Sequence, residues 1–217
     1  MRALALACLL IWLVPLAAVA NPWPREAGRG FLASSTTLDA TAGWAQLRTE
    51  TYAEYGFRPR LTLGGALAFA GDLERADVFL RWHPRDLPMG LVWGLTSGLR
   101  YVPTAGLPVQ VFSGVDLGRG FDTAAGNLWL RSGARIYRGY GEMGTALAAE
   151  LNAQVGLRRG RWLGYLETTH FQTEWTSRTR LRPALGVEIG PVTLLIEAIL
   201  PPGGAVEQVR LGVWSGF

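Results

Sequence analysis

Three features of this sequence predict an all-β fold: an antiparallel transmembrane β-barrel of about twelve strands (range ten to twelve), with short turns, after a cleaved signal peptide. The first is alternation. From Gly30 onward, runs of 9–14 residues alternate apolar with polar or small side chains, the period of a strand with two unlike faces. The second is punctuation, because Gly and Pro divide these runs at near-regular intervals. The third is composition. Charged residues are only 18% of the chain, below the roughly 25% of a soluble domain, while apolar residues reach 49%.

The same composition excludes other classes. Apolar content is too high and net charge (+4) too small for a disordered chain. One cysteine, Cys8, cannot staple a disulfide scaffold. No stretch after residue 20 has the apolar length of a membrane helix. All 21 basic residues are Arg. They form no basic stripe, so nucleic-acid binding has no support.

Residues 1–20 read as the signal peptide. Arg2 supplies the positive start, Ala3 to Val14 the apolar core, and Ala18-Val19-Ala20 a cleavage site before Asn21. Residues 21–217 then form a single barrel domain in which twenty arginines face seventeen acids, for a charge of +3.

The strands follow in order. Residues 30–38 make the first run. Residues 44–57 make the second, with Leu47, Ala53, Tyr55 and Phe57 opposite Arg48, Glu50, Tyr52 and Glu54. In the third, 60–72, Leu61, Leu63, Leu67 and Phe69 oppose Thr62, Gly64, Ala66 and Ala68. Further runs cover 75–83, 88–101, 108–118, 127–138, 145–158, 162–174, 178–189, 192–200 and 206–217. Links after even-numbered runs are expected to be tight (Arg58-Pro59-Arg60, Arg159-Gly160-Arg161, Gly190-Pro191). Links after odd-numbered runs, such as Gly71 to Glu74 and Gly139 to Gly144, are expected to be longer. The 118–126 link breaks this rule: it is either an elaborated turn or a miscounted strand.

A soluble barrel buries its apolar face and shows charge to water. Here the apolar face is nearly unbroken across the runs, and Gly is frequent inside strands. Apolar side chains facing lipid, polar ones facing a lumen, and closure of the sheet account for both.

The last strand, Val206 to Phe217, ends on an aromatic residue. With Arg210, Gly212 and Phe217 it resembles the closing strand of bacterial outer-membrane β-barrels, a polar-x-Gly-x-x-aromatic-x-aromatic pattern. Ser215 departs from it. The resemblance implies export through the periplasm to the outer membrane. Its implied partners are outer-membrane lipid, lipopolysaccharide and the barrel assembly machinery, with Arg210, Gly212 and Phe217 as the assembly signal. An even strand count places both termini on the periplasmic side. Tyr55, Phe57, Trp82, Trp162 and Phe217 then fall at the periplasmic edge and Tyr101 at the outer edge, as an aromatic girdle would.

The inward register collects charge of both signs: Arg48, Glu50, Glu54, Asp77, Arg81, Arg100, Asp116, Arg131, Arg135, Glu150, Arg158, Glu167, Arg178, Arg180, Arg182, Glu188, Glu197 and Arg210. Such a set either fills the lumen with ion pairs or lines a narrow solute channel. Arg178, Arg180 and Arg182 repel along one strand and need Glu partners or an anion. The function expected is therefore a structural envelope barrel or a narrow channel. The alternatives are a lipid A- or phospholipid-modifying enzyme, or an accessory barrel for envelope or exopolysaccharide assembly. An enzyme needs nucleophile, base and acid together. His83 reads as a turn residue. His170 and the serines Ser97, Ser113 and Ser132 read as lipid-facing, away from Glu167. No catalytic site, metal site or cofactor is expected.

Overall fold

A computed structural model describes residues 23–39, 47–85, 87–104, 108–141 and 144–217. The leader expected over 1–20 lies outside the described residues. Twelve strands appear in chain order: β1 (Gly30–Asp39), β2 (Leu47–Arg58), β3 (Leu61–Ala70), β4 (Asp72–Trp82), β5 (Val92–Tyr101), β6 (Val109–Thr123), β7 (Gly126–Gly141), β8 (Gly144–Arg159), β9 (Trp162–Thr173), β10 (Ser177–Ile189), β11 (Val192–Ile199) and β12 (Gln208–Gly216). Each pairs antiparallel with its sequence neighbours, and β1 pairs with β12 from Phe31↔Gly216 to Asp39↔Gln208, so the sheet is a closed barrel.

Closure is completed by two backbone bonds. The Gly30 N–H donates to the Phe217 carbonyl (2.6 Å) and the Phe217 N–H to the Gly30 carbonyl (3.0 Å). A Cβ at position 30 would lie 2.2 Å from the Phe217 ring, so the ring packs over the glycine at that crossing. The end where β1 begins and β12 finishes is called the lower end below.

Alternation sets the two faces. On β3, Leu63, Leu67 and Phe69 are exposed on the outside while Thr62 and Ala68 are fully buried inside. The inner face of β3 is small for a reason: a Cβ at Gly64 would stand 2.2 Å from the Phe79 ring of β4. Tyr55, Phe57, Trp82, Trp162 and Phe217 are exposed at the lower end, and Tyr101 at the upper.

The connections depart from the expected alternation of short and long. The β3–β4 link shrinks to Gly71, whose φ of +79° suits a glycine turn, and β4 begins at Asp72. The β4–β5 link is long. Pro84 and Pro88 lack the N–H a ladder needs, and a 3-10 turn at Pro88–Gly90 delays β5 to Val92. The 118–126 segment is not an elaborated turn. Arg119 pairs with Leu130, Phe121 with Leu128 and Thr123 with Gly126, so β6 continues to a tight reversal at Ala124-Ala125. Gly118 and Gly120 read as loop residues in isolation, yet ladder bonds to β7 hold them in the strand.

Candidate functional site: the charged lumen

The lower lumen between β1 and β6 is filled by a buried ionic cluster. Glu54 of β2 and Arg81 of β4 form an ion pair with both side chains out of solvent. The Tyr52 hydroxyl donates to Glu54, and Arg25 Nε donates to its other oxygen at 2.7 Å. Arg81 Nε donates to Thr96 Oγ1 (3.1 Å) and lies 3.9 Å from Asp116, which Arg131 approaches at 3.6 Å. Glycine makes room for this carboxylate, since a Cβ at Gly133 would stand 2.6 Å from Asp116 Oδ1. The segment before β1 reaches inside to join the cluster. Gly28 N–H donates to Gly56 O (2.8 Å), and a Cβ at Gly56 would strike the Glu26 carbonyl oxygen at 2.0 Å.

His83 sits just below this cluster with its side chain buried, and its backbone N–H donates to the Arg60 carbonyl at 2.8 Å. Burial, and the Arg81 charge beside it, push its pKa down to about 4. Its side chain is thus part of the packed lower lumen, more than the turn marker the sequence suggests.

Alternation had reserved the inner face for charge, but aromatic rings occupy part of it. Phe79, Tyr52, Phe31, Trp214 and Tyr165 run edge to face or stacked around the wall, with centroids 5.9–6.3 Å apart. Phe112 and Tyr137 form a further pair at 5.6 Å. Arginines lie over these rings: Arg25 over Phe31 (4.4 Å), Arg81 over Phe79 (5.1 Å) and Arg100 over Tyr137 (4.5 Å). The signal was present in the register, because Tyr52 stands between Glu50 and Glu54, and Phe79 between Asp77 and Arg81.

Above the cluster the lumen opens into a cavity of about 390 Å³. Eight arginines line it (Arg48, Arg75, Arg100, Arg131, Arg135, Arg180, Arg182, Arg210) against five carboxylates (Glu50, Asp77, Glu150, Glu167, Glu197). Most of the charges are paired. Arg75 meets Glu50 at 2.6 Å and Asp77 at 3.3 Å. Arg100 grips both Asp77 oxygens at 2.8 and 2.9 Å, the bidentate fork that distinguishes Arg from Lys. Arg48 meets Glu74 at 2.5 Å. Arg182 pairs with Glu167, and Tyr165 donates to Glu197, which Arg210 approaches at 3.5 Å. Tyr137 donates to Glu150 at 3.5 Å. Arg135, whose ladder partner is Glu150, lines the same wall. A second space of about 460 Å³ continues toward the upper end, between Arg48, Arg75, Arg100, Phe171 and Trp175.

Three of the predicted charges, Arg158, Glu188 and Arg178, lie away from both the cluster and this cavity. Glu188 meets Arg158 at 2.8 Å near the lower end. Arg178 meets Glu207 at 3.1 Å at the upper rim, where both are partly exposed.

The residues weighed for catalysis are not brought together. His170 Nδ1 is 2.9 Å from Thr179 Oγ1 on the outer face, while Glu167 faces the lumen. Ser97 and Ser113 stand 3.4 Å from each other, on other strands. Ser132 is exposed on β7.

No family model matches this sequence, and no curated protein matches it. Solved structures do resemble its fold. The NanC porin superposes with a TM-score of 0.64 at 12% identity, covering 85% of this chain and 98% of that one. The KdgM porin gives 0.63 at 8% identity, covering 86% and 98%. A second KdgM structure, in complex with disordered oligogalacturonate, gives 0.62 at 8% identity over the same shares. The chain therefore has the fold of the outer-membrane porins, closed here with twelve strands.

Proposed function

We propose that this protein is a narrow outer-membrane channel for small anionic solutes, with the lower end in the periplasm. One observation carries the reading: the central cavity of the lumen is lined by eight arginines against five carboxylates. Low-dielectric walls focus such an excess and raise the local concentration of anions. The cavity falls within the size range of small-molecule sites. KdgM, one of the similar folds, is described with an oligogalacturonate, a chain of carboxylates. Acidic sugars are accordingly the solute class favoured here.

In this reading Tyr55, Phe57, Trp82, Tyr101, Trp162 and Phe217 form the girdle at the two lipid interfaces. Arg210, Gly212 and Phe217 form the signal read by the assembly machinery, and lipopolysaccharide meets the upper rim. Planar-bilayer recording in a KCl gradient tests the function. The expected reversal potential reports anion selectivity; cation selectivity sinks the proposal. The closed lower cluster favours a second reading, a structural envelope barrel, and a folded protein without any conductance would establish that instead.

A further inference from the structure

Strand β10 carries Arg178, Arg180 and Arg182 on one face, two residues apart, so their like charges repel along the strand. The outer two are neutralised. Arg178 holds Glu207 at 3.1 Å, and Arg182 holds Glu167 and donates to Thr169 Oγ1 at 3.1 Å. Arg180 is different. Its ladder partner on β9 is Thr169, whose hydroxyl already accepts from Arg182 and donates to Glu167 at 3.3 Å. Toward β12, the wall offers Arg210, which is committed to Thr37 at 3.2 Å and Glu197 at 3.5 Å. Glu207, the carboxylate at the upper rim, is held by Arg178. The Arg180 Nε is out of solvent with no hydrogen-bond partner, yet the side chain lines the central cavity. Among the described arginines of that cavity, Arg180 and Arg135 alone have no ion pair, each with an unpartnered Nε, but Arg135 has a carboxylate, Glu150, as its ladder partner and Arg180 has only Thr169.

We propose that Arg180 is the binding group of a carboxylate subsite in the lumen. A guanidinium offers a planar fork that matches one carboxylate with two parallel N–H···O bonds. A half-buried cation among other cations, with no carboxylate paired to it, gains charge-assisted hydrogen bonds when such an anion binds it. The paired arginines around it (Arg48, Arg182, Arg210) add attraction without competing for the same geometry. The ligand is the carboxylate of a small solute such as a uronic acid. Arg180 is the place at which a solute of the proposed channel pauses. The subsite rests on the channel reading for its biological role, though not for its chemistry.

The test is binding to the detergent-folded protein, which needs no conduction. D-galacturonate is titrated by calorimetry, with D-galactose as the neutral control. The wild type is expected to bind the acid and not the neutral sugar. Arg180→Gln is expected to weaken binding about tenfold or more, the effect of losing a charge-assisted hydrogen bond. Arg180→Lys, which keeps the charge and loses the fork, falls between. Arg158→Gln, whose partner Glu188 lies near the lower end away from this cavity, stays near wild type. Gel mobility before and after heating verifies that each variant is folded. A folded Arg180→Gln with wild-type affinity, or a wild type that ignores galacturonate, overturns the subsite. If the bilayer shows anion-selective current while Arg180→Gln leaves binding unchanged, only the subsite falls. If no current flows but the substitution abolishes binding, only the channel reading falls.

Discussion

Glu54 shows how much of this lumen depends on single side chains. It accepts from Tyr52, Arg25 and Arg81 while fully shielded from water. Removing its charge leaves Arg81 buried with Asp116 3.9 Å away as the nearest carboxylate. Breaking one partner out of a buried pair costs roughly 3–5 kcal/mol. Glu54→Gln is therefore expected to lower the urea midpoint of the folded barrel by that equivalent, read by tryptophan fluorescence. An unchanged midpoint would show that the cluster is not stabilising as drawn. Residue identity was legible in part. Alternation placed Tyr52, Glu54 and Arg81 on the inner face, and Tyr52 meets Glu54 along one strand. It could not tell that Arg81 would reach Glu54 from two strands away or that Arg25 would come from a segment outside the alternating runs.

At the scale of elements, the segment before β1 is the piece that no periodicity announced. Trp23 to Arg29 has no alternation, yet it enters the lower mouth and places Arg25 against Glu54 and Phe31. Its seat depends on Gly56, where any Cβ collides with the Glu26 carbonyl. Gly56→Val is expected to push this segment out of the mouth. Trypsin would then cut after Arg25 in the folded variant and spare that bond in the wild type; equal cleavage in both contradicts the seat. Strand existence was readable because lipid on one side and a polar interior on the other impose period two over every run. Strand ends were less so. Glycine at 118 and 120 mimics a loop, and only pairing with β7 keeps β6 in register to Thr123.

For the whole molecule, the relevant quantity is the sum of lumen charges. Because most arginines are paired at short range, selectivity arises from the small excess, and that excess is exposed to salt entering the cavity. The Debye length shrinks from about 30 Å at 0.01 M to about 3 Å at 1 M. The anion-to-cation permeability ratio of the proposed channel is expected to approach unity in molar KCl and to rise in dilute KCl. A ratio independent of salt would point to selection by shape, with charge playing no part.

The wall of the barrel is readable from the sequence. Twelve alternating runs, low charge and a closing strand follow from local periodicity, because each strand must satisfy lipid outside and its neighbours' hydrogen bonds alongside. The content of the lumen emerges only once the strands are assembled. Inward positions are known from alternation, but which of them pair is set by register and stagger, between neighbouring strands (Arg182 with Glu167, Arg100 with Asp77) and between strands two apart (Arg81 with Glu54). That arrangement pairs Arg178 and Arg182 with carboxylates and leaves Arg180 open to the cavity. It also turns inner positions between charges into an arc of rings, since a closed barrel must pack the interior that its own circumference defines.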